Sequence, residues 1–286
     1  MDVSRRAFML GALGTVLASG ARAAVPEASA SVLASGTGKA FTTPVTWVLP
    51  MEVKPATRLV IWLAGGVSKM ESALPMLERL AREGFVAVSF DSYERGSRLS
   101  EPAETLVPKA FANFPMIWPL YANGALESLR VVDWAAKEFG LRPPFSIGGF
   151  SAGGDIAIAA AGLDQRIHCV ATIVATPDWT RPGMHFQGQR VAPGEPDAYA
   201  RYLYERINPL TNLKSYAHRP AMTFECGEND DHVPADGALR FQAALAPVYG
   251  DAMTRLRVNL HPGVGHSSTP AMQDNCVEWF KHYARA

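Results

Sequence analysis

Short, wholly apolar runs that alternate with helix-period segments constrain this chain more than any other feature. Leu59-Val60-Ile61-Trp62-Leu63 is such a run, and Phe85-Val86-Ala87-Val88-Ser89-Phe90, His168 to Ala175, Ala221 to Cys226 and Leu256 to Leu260 read as further strands in the same alternation. A strand that is apolar on both faces is buried on both, as in a parallel sheet covered by helices on either side. Between the runs, Leu74, Leu77, Leu80 and Ala81 recur at helical spacing, and Gly84 closes that segment. Helical stretches follow around Leu126 to Phe139 and Ala235 to Leu245, and a last helix carries Met272, Cys276, Phe280 and Tyr283 on one face. The alternation predicts the α/β class: a doubly wound, mostly parallel sheet with helices on both faces and an active site at the carboxyl ends of the strands. The chain of 286 residues, 48% hydrophobic and 19% charged, suffices for one large core. With 27 basic and 27 acidic residues, no electrostatic case exists for nucleic acid or an anionic membrane as partner.

The N-terminus reads differently. Ser4-Arg5-Arg6-Ala7-Phe8-Met9, a weakly apolar run from Leu10 to Ala18, and Ala21-Arg22-Ala23 before Ala24 form the charged, apolar and small-residue regions of a secretory signal. The arginine pair resembles the S-R-R-x-F pattern of twin-arginine export signals. The apolar run is short of the roughly 20 residues that a membrane span needs. The expected organisation is a signal peptide over 1–23, a linker or loose first strand over 24–43, and a catalytic domain over 44–286. A periplasmic or secreted protein is expected, with the twin-arginine machinery as an export partner and no membrane span after cleavage. The segment from Thr176 to Lys214, rich in Pro and Gly, reads as loop with room for a small insertion. Cys169, Cys226 and Cys276 are an odd set without C-x-x-C spacing, so neither a disulfide framework nor a structural zinc site is expected.

One strand ends in chemistry. Phe145-Ser146-Ile147 leads into Gly148-Gly149-Phe150-Ser151-Ala152-Gly153-Gly154, and Ile156 to Ala161 is apolar all round. Gly149 to Gly153 fits G-x-S-x-G between a strand and a buried helix. There a sharp turn lifts the serine clear of the sheet, and flanking glycines leave room for it. A Gly-rich connection or phosphate cradle is the plainer alternative, but neither a P-loop lysine nor G-x-G-x-x-G is present. Ser151 is therefore the expected nucleophile, and it needs a base. His261-Pro262-Gly263-Val264-Gly265-His266 follows the last strand, and His266 on its Gly-rich loop is preferred over His261, which lies nearer the strand. Glu228, Asp230 and Asp231 compete on the loop after the preceding strand to orient the imidazole. Position alone does not choose among them, and an acidic helix cap is the other reading of that loop.

At these three places the sequence resembles the α/β-hydrolase superfamily, and within it the prolyl-oligopeptidase-like and dienelactone-hydrolase-like serine esterases, over roughly Thr46 to Tyr283. Gly227, Asp230, Val233 and Pro234 match that group's G-x-x-D-x-x-V-P element, which implies Asp230 as the acid. The group's apolar strand ends in H-G-G or H-G-x. Here Leu63-Ala64-Gly65-Gly66 puts Ala64 in place of the histidine. The resemblance implies an oxyanion hole from the backbone N–H groups of Gly66 and Ala152, with Val67 as the substitute donor. Asp91 to Arg98 resembles the group's D-x-x-x-x-G-x-R loop, with Arg95 and Arg98 as loop-bracing residues.

The expected activity is cleavage of a small-molecule carboxylic ester through an acyl-enzyme, with no metal or organic cofactor. A peptidase or acyltransferase with the same triad, and a non-catalytic binding protein on a hydrolase fold, are the alternatives. Phe114, Trp118, Trp179, Tyr202 and Tyr204 are aromatic candidates for a pocket wall.

Overall fold

A computed structural model describes residues 33–284. The signal-peptide expectation and the start of the linker fall outside the described residues. In chain order the elements are β1 (Ser35–Ala40), β2 (Thr43–Val48), β3 (Leu59–Leu63), α1 (Leu74–Arg82), β4 (Val86–Phe90), α2 (Ala103–Ala112), α3 (Trp118–Glu138), β5 (Phe145–Phe150), α4 (Ala152–Leu163), β6 (Ile167–Ile173), β7 (His185–Phe186), β8 (Gln189–Arg190), α5 (Ala198–Ile207), β9 (Ala221–Gly227), α6 (Asp236–Tyr249), β10 (Leu256–His261) and α7 (Pro270–Tyr283). β7 and β8 pair as a separate ribbon. The other eight strands form one sheet in the order β1-β2-β4-β3-β5-β6-β9-β10. From β4 to β10 neighbours run parallel, while β2 lies antiparallel to β4 and β1 to β2. The doubly wound, mostly parallel sheet expected from the sequence is the one observed.

Period-2 alternation of side chains divides each central strand between two cores. In β3, Leu59, Ile61 and Leu63 pack with α3, α4, α5 and α6 on one face, while Val60 and Trp62 pack with α1 and α7 on the other. This is why the run had to be apolar throughout. Helix α4 is buried from Gly153 to Ala161, which accounts for a sequence that is apolar apart from Asp155. Truncating a core residue such as Leu77 or Leu80, both fully buried, to alanine costs about 2–5 kcal/mol in comparable cores.

Two elements differ from the expectation, and β1 falls within 24–43, the segment read as a linker or loose first strand. Its glycines Gly36 and Gly38 lie under the Trp47 ring of β2, so a composition that reads as loose serves close packing. α3 begins at Trp118, well before Leu126, because Pro119 sits in the first turn, where proline is tolerated, whereas Asn123 and Gly124 mask the period. The loop-rich segment contains α5, opened by Asp197, whose carboxylate accepts the N–H of Ala200 at 2.7 Å. The three cysteines are free and buried.

The chain runs from β3 to β4 on one side, then crosses back to β5 on the other side of β3. Where strand order reverses, the loops leaving the carboxyl ends of β3 and β5 part and open a crevice. The turn Gly65 to Val67 and Ser151 both lie at that point.

Candidate active site

Ser151 sits between β5 and α4 with φ 51° and ψ −125°, a conformation that costs a non-glycine residue energy and that its surroundings must enforce. They do so with backbone bonds. Ser151 N–H donates to Ile173 O at 2.8 Å, and the Ser151 carbonyl accepts from Gly154 and Asp155 at 2.7 and 3.1 Å. The turn is so tight that a Cβ on Gly149 would stand 2.5 Å from the carbonyl carbon of Gly153. The glycines of the G-x-S-x-G pattern are thus a steric requirement here.

His266 arrives from the loop after β10. Its Nε2 lies 2.9 Å from Ser151 Oγ, and its Nδ1 lies 2.8 Å from Asp230 Oδ2. A carboxylate only accepts, so Nδ1 carries the proton and Nε2 presents a lone pair to the serine hydroxyl. Asp230 is fixed by its own backbone: Oδ1 accepts the N–H groups of Val233 and His232 at 2.8 and 3.0 Å. A Cβ on Gly227 would meet the carbonyls of Val264 and Gly265 at 2.5 Å, so the β9 end can approach the His266 loop only as glycine. The G-x-x-D-x-x-V-P spacing is therefore one acidic turn. The competing carboxylates face elsewhere. Glu228 reaches only the Gly263 N–H at 3.4 Å, and Asp231 joins the fold through its carbonyl, which accepts from His185 N–H at 2.7 Å. His261 is held by Glu225 at 2.7 Å and does not meet the serine.

These groups open on a cavity of about 630 Å³. Its wall includes Gly65, Gly66, Val67 and Ala152. The N–H of Ala152 is in the first turn of α4 and has no intrahelical acceptor, and those of Gly66 and Val67 meet no acceptor among the described residues. The turn is held from behind. Arg95, buried, donates to the Ala64 carbonyl at 2.5 Å, and Gly96 N–H donates to Val67 O at 3.0 Å. Bracing through main-chain atoms does not need a side chain at Ala64. Burial brings the Arg95 guanidinium down to about 10, against the opposing pull of Tyr121, Asp155 and Asp91, so it stays charged at neutral pH. Arg98 bonds Glu127 at 2.8 Å and the Asp91 carbonyl at 3.1 Å, tying the same loop to α3.

None of the five aromatic candidates lines the cavity. Phe114, Trp118 and Trp179 belong to the buried core, Tyr202 is exposed, and Tyr204 stacks on Trp118. The apolar wall comes instead from Phe111, Ile117, Leu120, Tyr121, Phe150 and Phe186. Sequence reasoning also missed a buried ion pair beside it. Arg181 donates to Asp155 and, at 2.8 Å, to Tyr121 Oη, and Asp155 accepts the Thr176 N–H at 2.8 Å. Asp155 left a signal as the one charge in the apolar helix α4. His232 was the other omission. Its ring lies 4.6 Å from that of His266, centroid to centroid. Burial, then Arg181 and His266, push it down to about 4, so it is neutral at physiological pH.

Known proteins share this arrangement of strands. The structure of TT1662 from Thermus thermophilus superposes with a TM-score of 0.70 at 23% identity, covering 88% of this chain and 98% of that one. A prolyl endopeptidase structure gives 0.63 at 17% identity, over 87% of this chain and 38% of that one. Both show the α/β-hydrolase fold alone. In sequence the chain is 25% identical to Esterase YjfP of Escherichia coli (strain K12), over 71% of this chain and 80% of that protein. The profile of the prolyl oligopeptidase family matches residues 125–285, a stretch that holds Ser151, Asp230 and His266 and more than half of the chain, and the chain belongs to that family of hydrolases.

Proposed function

We propose that the protein is a serine hydrolase that cleaves carboxylic esters through an acyl-enzyme. The observation that carries this reading is the unbroken hydrogen-bonded chain from Ser151 through His266 to Asp230 at the mouth of a largely apolar cavity. His266 Nε2 takes the Ser151 proton as Oγ bonds to the ester carbonyl carbon, and the N–H groups of Gly66 and Ala152 receive the oxyanion. Collapse of the tetrahedral intermediate breaks the bond to the alkoxy group, which leaves with the proton from His266. Water then gives a proton to His266 and attacks the acyl carbon, and Ser151 departs with that proton. Asp230 accepts from His266 Nδ1 throughout and holds the imidazole in its tautomer.

Ester rather than peptide cleavage is favoured by the relative named as an esterase and by the largely apolar wall of the cavity. The family and the endopeptidase neighbour support peptide cleavage as the second reading. The test is covalent labelling by a fluorophosphonate probe, followed by turnover of paired esters and amides with one acyl group. Labelling that vanishes in Ser151→Ala, with ester turnover at least tenfold above amide, is expected. A folded Ser151→Ala protein that still labels and turns over would remove the mechanism.

We further propose, from the Arg5-Arg6 segment and Ala21-Arg22-Ala23, export by the twin-arginine machinery and a mature chain that begins near Ala24. N-terminal sequencing tests this, since a native protein that retains Met1 in the cytoplasm overturns it.

A further inference from the structure

The turn that orients His266 also fixes a second imidazole whose chemistry the proposed mechanism does not use. His232 Nδ1 lies 3.1 Å from the carbonyl oxygen of His185. A carbonyl only accepts, so Nδ1 bears the hydrogen and Nε2 is a bare lone pair. The ring is not free to turn over. His185 N–H returns a bond to Asp231 O at 2.7 Å, which zips the β7 strand to the acidic turn. Phe186 stacks on Phe111 at 3.8 Å, and the two rings flank His232 at 6.0 and 5.4 Å. His232 lines the cavity, and among the described residues its Nε2 meets no donor while keeping access to solvent. Among the described residues no Asp or Glu lines the same cavity. The acceptor is thus prepositioned on a rigid ring beside the reacting atoms, in a wall without carboxylates. An unpaired polar group in such a wall discriminates strongly, because a ligand lacking the complementary donor leaves it desolvated and unmatched.

We infer that His232 Nε2 is a specificity site that accepts a hydrogen bond from the substrate, so that the preferred esters carry a hydroxyl or amide N–H within a few bonds of the scissile carbonyl. The site deepens the proposed function of the same cavity but is testable without turnover. The ring is neutral at physiological pH because burial, then Arg181 and His266, hold it near 4.

The experiment measures binding to the full-length Ser151→Ala protein by calorimetry, so no catalysis is involved. Two matched pairs serve as probes: ethyl 3-hydroxybutyrate against ethyl 3-methoxybutyrate, and 2-hydroxyethyl butyrate against 2-methoxyethyl butyrate. Each methoxy partner keeps the oxygen and loses the donor. At least one hydroxyl ester is expected to bind about tenfold tighter than its partner, and the ratio is expected to collapse towards one in Ser151→Ala/His232→Phe. His232→Met supplies the same comparison if the Phe variant does not fold. Ratios within twofold in both pairs, or a preference that survives loss of the imidazole, overturn the inference. Turnover of any of the four esters by the unmutated protein is scored separately, so failure of the hydrolase reading and failure of the specificity site give different results.

Discussion

Two histidine–carboxylate pairs stand at the ends of the same two strands, and they do different things. His266 Nδ1 meets Asp230 at 2.8 Å, and His261 Nε2 meets Glu225 at 2.7 Å. Glu225 lies within β9, fully buried, and all its capacity is taken. Oε1 accepts from Thr223 Oγ1 at 2.9 Å and Asn259 Nδ2 at 2.6 Å, and Oε2 accepts from His261 and, at 2.8 Å, Asn275 Nδ2. The His261 carbonyl in turn accepts the N–H groups of Glu228 and Val264 at 3.1 and 3.3 Å. That pair is a clamp that sets the bases of the two loops. Asp230 lies past the strand, spends one oxygen on backbone N–H groups, and leaves His266 Nε2 for Ser151. What separates a relay from a clamp is which ring nitrogen the carboxylate takes, and what the other nitrogen then faces.

The largest expected effect falls on the clamp and on stability. Glu225→Ala leaves several buried donors without a partner and is expected to cost about 3–5 kcal/mol, read by chemical denaturation. Turnover number per folded molecule should fall less than tenfold. A loss below about 1 kcal/mol would mean that the network is incidental.

Asp230→Asn inverts the pattern. The Asn oxygen can still accept from His232 and Val233, so the fold should survive with a change of about 1 kcal/mol or less. Its NH₂ group would then face His266 Nδ1 and favour the tautomer with hydrogen on Nε2, which takes no proton from Ser151. The matching change in a chymotrypsin-type protease costs about four orders of magnitude. Here turnover of an activated ester is expected to fall by at least roughly two orders. If Asp230→Asn and Glu225→Ala both acted mainly on stability, the distinction between the pairs would collapse.

Much of this was legible in the sequence because the chemistry is local. The wholly apolar β3 and buried α4 fix the two-faced sheet, and the elbow glycine Gly149 is demanded by a contact with Gly153 inside the same turn. The pocket wall was not legible. It is assembled from α2, α3 and the β7–β8 ribbon, which approach the strand ends from distant parts of the chain. Phe111 and Phe186 carry no periodicity that marks them, whereas the aromatics that looked available, such as Trp179, are core. Arg181 was hidden for the same reason, since its partner Asp155 lies on another element.

His232 sharpens the comparison as an imidazole that bonds a backbone carbonyl, that of His185, and no carboxylate among the described residues. In the unfolded chain it titrates near 6.5, and burial, Arg181 and His266 lower it to about 4 in the fold. Between these values the unfolded state binds more protons than the folded one, so stability declines as pH falls from about 6.5 to about 4 and loses no more from this group below that. The full shift is discounted because the ring is partly open to the cavity, which leaves roughly 2 kcal/mol. Denaturation midpoints of the unmutated protein and His232→Phe should therefore converge or cross as pH is lowered through this window. Parallel curves would show that His232 is protonated as easily in the fold as outside it.

The smallest expected effects belong to the two carboxylates that share the acidic turn with Asp230. Glu228 lies on the exposed side and reaches only one long backbone bond to Gly263. Asp231 uses its main chain, and its residue is exposed. Neither contacts His266, so neither can choose its tautomer, and across solvent a lost charge is screened within about 10 Å at ordinary ionic strength. Glu228→Gln and Asp231→Asn are each expected to change turnover by less than about threefold and stability by about 0.5 kcal/mol or less. The three single variants should be assayed on one activated ester with melting curves alongside. Because backbone bonds from the same turn hold Asp230, a mutation that merely loosened the loop would weaken all three together. Only a carboxylate that touches the imidazole can make Asp230→Asn fail alone. A crippled Asp231→Asn or Glu228→Gln beside a near-normal Asp230→Asn would transfer the acid's role to the other residue.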